Sequence, residues 1–454
     1  MSPDEQGPNR RDVSWGTLLA YGAPALGYGF ALLFIQFYFL KFATDVLLLA
    51  PALAGGLIGV GRLWDAFSDP LAGYWSDRTS TRLGRRRPWM LAAVPLMAVF
   101  FVMTWSPPAG LEGASLVAWC AVALFGFYTA YTIYTVPHLS LGAELSGNYH
   151  ERTRVFAGQR IFFVLGMMAS FVGVQFLRDA AEPRSTAVLF AIGSAVGVAA
   201  LLLLAPVFVP ERRENVGRGA SSPYAAFRDV LRNPHARILL GAWLIDGIGA
   251  GVLGVLAPFV AEYVLKRPDL MAALPAVFLT SAIVSLPLWV RLSRRLGKAS
   301  VWRIALVGSA LGLGATFFAG EGDIPFVIGL MVVAGACNGC GGAIGASMLA
   351  DVIDWDELRS GERKEGAYAA AWGFALKLSI GVVIVITGIA LQVSGFEPNV
   401  AQARSADLTI RGLFAGLPLL AGLFAAWLLS RFTLDARAHA AIAAELEARR
   451  LGSS

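Results

Sequence analysis

The sequence predicts an all-α polytopic membrane protein. Three observations carry that reading: an apolar composition, long apolar stretches at regular intervals, and basic residues gathered between them. Of 454 residues, 56% are hydrophobic and only 15% charged, and the mean hydropathy is +0.62, well outside the range of soluble chains. At about 20 apolar residues per crossing, twelve stretches qualify as spans. They begin near residues 15, 51, 88, 115, 154, 185, 236, 270, 300, 324, 365 and 407.

The elements fall into a simple order. Residues 1–14 form a polar cytoplasmic tail with Arg10 and Arg11. The apolar stretch after it is too long for a secretory signal and lacks the cleavage pattern, so it is expected to stay attached. Residues 15–209 hold six spans, and 210–235, rich in Pro, Ser, Gly and Arg, read as a cytoplasmic linker. Residues 236–432 hold six more, and 433–454 read as a cytoplasmic amphipathic tail. Most of the 37 Lys and Arg fall in alternate loops, among them Arg82, Arg85, Arg86, Arg87, Arg294, Arg295 and Lys298. That asymmetry places both termini in the cytoplasm, which an even number of spans also requires. It also accounts for the net charge of +6 without nucleic acid. Cys120, Cys337 and Cys340 all fall within spans, so no secreted disulfide framework is present.

The second span is the anomaly. It carries Arg62, Asp65 and Asp69, and the two carboxylates, four residues apart, share one helix face. Three ionised groups at mid-membrane cost about 8 to 10 kcal/mol even on the lenient insertion scale, so a helix needed only to cross would not keep them. Hard oxygen ligands suit Na⁺, and two close carboxylates also suit a shared proton; spacing leaves both open. Arg160 and Lys377 are two further cations inside spans, and Asp246 is another acid. Pairing of the aspartates with these cations as an internal ion network is the bland alternative.

The two halves echo one another. Gly73 to Arg87, with Asp77, Arg78 and Arg85, joins the second and third spans, and Arg291 to Lys298 repeats it in degraded form in the second half. Duplication of this kind marks secondary transporters, with the substrate near the midplane. The first loop resembles that of the major facilitator superfamily. The stretches Arg62–Pro70, Tyr131–Pro137, Gln159–Phe163 and Ala350–Lys377 are similar to those of its glycoside-pentoside-hexuronide cation symporters, the melibiose permease family. The resemblance covers both halves and implies twelve transmembrane helices in two pseudo-symmetric six-helix bundles, working as a monomer in a bacterial inner (plasma) membrane.

Carried over residue by residue, the resemblance implies a coupling-cation site at Asp65, Asp69 and Thr132, with Ser68 where melibiose permease has asparagine. Arg160 and Lys377, both retained, are the candidate substrate contacts; Thr135 stands at an altered pocket position, Tyr128 and Tyr131 recur at three-residue spacing on the fourth span, and Trp372 lies five residues before Lys377. Arg62, Asp77, Arg78, Arg85, Asp351, Asp354 and Arg363 read as gating or structural charges. The sugar clamp itself is altered: Gly29 and Thr135 stand where the family has aspartates, and Leu139 where it has a stacking tryptophan. Hydroxyl-rich galactosides need those groups. Two cations without pocket acids favour an anionic solute instead.

The expectation is therefore a Na⁺- or H⁺-coupled symporter that imports a sugar-like or anionic organic solute by alternating access. It needs no cofactor, no metal beyond the coupling cation and no nucleic acid. A symporter of amphipathic, lysophospholipid-like lipid is the alternative within transport. A non-coupled membrane sensor or scramblase is the alternative of another class, and retention of both carboxylates argues against it. No nucleophile with a positioned base appears, so an enzyme is not expected. The glycines of Gly339–Gly345 follow no strand and read as helix packing, and Cys337 with Cys340 lacks a second ligand pair for metal.

Overall fold

The computed structural model describes residues 13–145, 149–211, 223–361 and 364–452. Among them it shows only helices: α1 Trp15–Gly22, α2 Pro24–Asp45, α3 Pro51–Arg78, α4 Arg87–Trp105, α5 Gly113–Glu144, α6 Tyr149–Arg178, α7 Pro183–Phe208, α8 Pro223–Arg232, α9 Pro234–Phe259, α10 Ala273–Leu296, α11 Lys298–Ala315, α12 Ile324–Cys340, α13 Ala346–Ser360, α14 Glu365–Val393, α15 Arg404–Arg411, α16 Leu417–Leu429 and α17 Ala436–Gly452. In lipid every backbone N–H and C=O needs an internal partner, which is why an apolar chain of this kind resolves into helices.

Eleven helical stretches among the described residues are long and apolar enough to cross a membrane. The expected second span is α3, whose 28 residues are ample in length but whose charges at Arg62, Asp65 and Asp69 lower its hydropathy. Helix starts follow local chemistry. The Ser14 side chain accepts from Thr17 N at 3.2 Å, and Asn233 Oδ1 accepts from His235 N at 3.0 Å. Prolines in the first turn open α4, α7, α9 and α12. Pro70, Pro95, Pro137, Pro206, Pro258 and Pro287 lie inside helices, a cost that membrane helices tolerate.

The helices gather into two compact units, and the chain passes between them within α2 and again within α3. One unit holds residues up to Gln36 and Phe67–Ser221; the other holds Phe37–Ala66 and the chain from Ser222 onward. The first has an aromatic core in which Phe34 packs on Trp105 and Phe190, with ring centroids 4.5 and 5.1 Å apart. In the second, α10 and α12 meet where Gly335 and Gly339 lie against backbone. A Cβ at either would sit 2.2 Å from a carbonyl oxygen, that of Phe278 or Ala282. These small residues one turn apart are the close helix contact that the glycine-rich segment suggested. At the end of the chain α17 packs on α13: Ile442 is buried, and His439 Nε2 lies 3.1 Å from Asp354 and 3.6 Å from Asp351.

Candidate cation and solute site

In the first unit, Thr132 of α5 donates to Asp69 Oδ1 at 3.1 Å, and Ser68 donates to the Thr132 hydroxyl at 3.2 Å. Ser68 and Thr132 are buried and Asp69 half-buried. Carboxylate and hydroxyl oxygens from two helices thus converge within a span, an all-oxygen donor set of the kind that holds a hard cation.

In the second unit, Asp65 is fully buried and lies between two cations. Its Oδ2 is 3.1 Å from Arg62 Nη1 and 3.0 Å from Lys377 Nζ. Lys377 reaches it because α3 and α14 pack closely there. A Cβ on Gly55 would lie 2.8 Å from the Ile384 carbonyl and 3.0 Å from Gly388 Cα. Of the two expectations for Lys377, solute contact or internal pairing, this is the arrangement of the second. Removing one partner of such a triad strands charge in low dielectric.

The solute candidates of the first unit surround Tyr28. Tyr131 meets it edge-on at 6.0 Å, and Gln159 donates to its hydroxyl. Tyr128 and Tyr131 are buried, and the Thr135 hydroxyl is turned back to the Tyr131 carbonyl at 2.8 Å. Arg160 differs from Lys377: its side chain is exposed, lies over the Phe163 ring at 5.3 Å, and makes no ion pair among the described residues. Phe163 also explains Gly29, since a Cβ there would lie 3.0 Å from its ring and 3.1 Å from its carbonyl. The space of the family's aspartate is taken by an aromatic. Leu139 is exposed.

Trp372, on α14 of the second unit, stacks on Trp243 of α9, with centroids 4.3 Å apart and planes 13° from parallel. Asp246 lies one turn beyond Trp243 and is half-buried.

The loop charges form structured networks. Arg85 and Arg86 both reach Glu144, at 2.6 and 2.7 Å, and Arg86 also reaches Asp77 at 2.8 Å. Glu211 accepts from the backbone N–H groups of Arg85, Arg86 and Arg87. Arg78 lies over Tyr74. Asp351 is bound by Lys298 at 2.6 Å, and Arg363 lies outside the described residues. Sequence reasoning passed over Glu144 and Glu211, each at or just beyond a helix end. It also passed over a partly buried cluster of Lys41, Asp45, Glu262 and Tyr263, in which Tyr263 donates to Asp45 at 2.8 Å. The i,i+4 spacing of Lys41 and Asp45 was its one visible signal.

Comparison with known proteins agrees with this architecture. The sequence model of the family described as MFS/sugar transport protein matches residues 20–436. The chain is 24% identical to the glucuronide carrier protein homolog of Escherichia coli, over 90% of each chain. It is 26% identical to the sodium-dependent lysophosphatidylcholine symporter 1 of Gallus gallus, over 92% of this chain and 87% of that one. Its fold is that of the solved D-xylose-proton symporter, with a TM-score of 0.64 at 16% identity, covering 92% and 98% of the two chains. These relatives are transporters rather than enzymes, and the chain belongs to the MFS/sugar transport protein family, as a multi-pass membrane symporter of the major facilitator fold.

Proposed function

We propose that the protein is a cation-coupled importer of an anionic, sugar-like organic solute, working by alternating access. The observation that carries the coupling is the convergence of Ser68, Asp69 and Thr132 oxygens inside a membrane span. Na⁺ or H⁺ neutralises Asp69 there. Asp65, one turn earlier on the same helix, is the second carboxylate of the pair, and exchange of Lys377 for the cation links occupancy to helix movement. A membrane potential supplies about 2.3 kcal/mol per charge per 100 mV. With both termini cytoplasmic, as the basic loops indicate, the gradient drives import.

Arg160 supports an anionic solute, because it is a span cation that no acid among the described residues engages. The name of the Escherichia coli relative, a glucuronide carrier homolog, agrees with that chemistry. The vertebrate lysophosphatidylcholine symporters favour a second reading, an amphipathic lipid phosphate. Uptake into proteoliposomes, with Na⁺ and H⁺ gradients imposed separately, tests the mechanism on uronides, neutral glycosides and lysophospholipids. Accumulation should follow one gradient and favour anions. Uptake indifferent to both gradients would refute symport, and uptake of neutral glycosides with no competition from anions would refute the role of Arg160.

A further inference from the structure

We infer that the second unit contains a hydroxyl-recognising subsite built from Asp246, Trp302, Trp243 and Trp372, and that it selects the polyhydroxylated part of the solute. This rests on the transport reading above and adds to it the residues that take over from the family's missing sugar clamp.

The subsite is seated on a glycine-bearing π-helical turn, Gly341–Gly345, a distortion common at functional sites. A Cβ at Gly341 would lie 2.9 Å from Asp246 Oδ2 and 3.0 Å from Trp302 Nε1, and one at Gly345 would lie 2.9 and 3.0 Å from the Trp372 and Trp302 rings. Only glycine at both positions lets the carboxylate and the indoles close on this turn. The three rings form one cluster: Trp302 lies 6.3 Å from Trp243 and 6.5 Å from Trp372, beside the Trp243–Trp372 stack.

The polar groups define the ligand. Trp243 Nε1 is buried with no hydrogen-bond partner, and Trp302 Nε1, also buried, is turned toward the Asp246 carboxyl group. A carboxylate accepts, and an indole N–H only donates. A ligand that satisfies both must accept and donate at once, as a hydroxyl does. An ammonium group offers the indoles no acceptor, and a group that only accepts offers a carboxylate no donor. The flat indole stack complements the apolar C–H face of a sugar ring. Asp246 thus occupies, in the C-terminal half, the chemical role left vacant at Gly29 and Thr135.

The test uses the full-length protein in proteoliposomes, with p-nitrophenyl β-D-glucuronide, its monodeoxy analogues, D-xylose and tetramethylammonium as probes. Binding is read by tryptophan emission and uptake by an imposed Na⁺ or H⁺ gradient. Asp246→Asn should weaken binding of a hydroxylated probe tenfold or more. Removing one particular hydroxyl should cost the wild type a similar factor and the variant almost nothing. Trp302→Phe and Trp243→Phe, which keep the rings and remove the donors, should each weaken binding with an unchanged thermal midpoint. Binding of no hydroxylated probe, preference for tetramethylammonium, or a deoxy penalty undiminished in Asp246→Asn would overturn the inference. Uptake that stays gradient-driven and dependent on Asp69 while ignoring Asp246 would leave symport standing and remove the subsite. Loss of binding in the Asp246 and Trp302 variants without gradient dependence would do the reverse.

Discussion

Thr132→Val is the sharpest perturbation of the proposed cation site. Valine keeps the shape of threonine and removes only the hydroxyl that donates to Asp69 at 3.1 Å and accepts from Ser68 at 3.2 Å. Thr132 is 1% exposed, so bulk water does not replace the lost oxygen. A hydrogen bond to a charged group contributes about 1.5 to 3 kcal/mol, and coordination of the cation by the same oxygen is worth at least as much. The empty site also loses its hydrogen bond to Asp69, which offsets part of the effect. A net loss near the lower bound, about 1.4 kcal/mol, is a tenfold rise in the cation concentration for half-maximal uptake. Maximal uptake at saturating cation should change little, and Thr132→Ser should restore the wild-type value. The assay is initial uptake into proteoliposomes across a cation titration, with solute held fixed. A shift of less than threefold, or an equal effect of Thr132→Ser, would refute the assignment of this hydroxyl to the cation.

Three further outcomes follow from named contacts. Asp65→Asn removes the carboxylate from between Arg62 and Lys377 and should cost about 3 to 5 kcal/mol, whereas Lys377→Met leaves Asp65 with Arg62 and should cost clearly less. Thermal midpoints in detergent should rank the single variants in that order, with Asp65→Asn combined with Lys377→Met in between. Gly29→Asp, which restores the acid of the resembled family, meets Phe163 at about 3 Å and should destabilise by about 1 to 3 kcal/mol. It should not confer galactoside uptake, and a fully stable variant would count against the packing reason for this glycine. Arg160→Gln should raise the KM for anionic solutes tenfold or more and leave neutral competitors unchanged, as read by uptake competition.

The spans were legible because twenty apolar residues in a row admit few other structures, and even α3, with its three charges, follows from length and flanking loops. The importance of Asp65 and Asp69 was legible for the opposite reason, as the most expensive residues in an apolar stretch. Their partners were not. Helical periodicity says which residues share a face of α3 but nothing of what lies opposite. The lysine on Asp65 is 312 positions away, brought there by glycine packing between α3 and α14. Glu144 and Glu211 were invisible because an acid at a helix end is ordinary, and only folding shows it collecting Arg85 and Arg86. The tryptophan cluster was hidden for the same reason, since Trp243, Trp302 and Trp372 come from three helices and only Trp372 drew notice, through its nearness to Lys377.

The pairing of Asp65 with Lys377 carries a consequence for the proposed coupling. Thr132 donates its hydroxyl to Asp69, and Asp65 is paired with two positive side chains that an incoming cation opposes. A positive charge arriving beside Asp69 weakens the hold of Asp65 on Lys377 more than its hold on Arg62, because Lys377 is a flexible ammonium on another helix and Arg62 lies three residues away on the same one. In the proposed mechanism, cation entry therefore acts first on the contact between α3 and α14. On the proposed mechanism, the ion pair that joins Asp65 to a lysine of another helix, rather than the mere presence of two acids, is what would let an ion change how these helices are held.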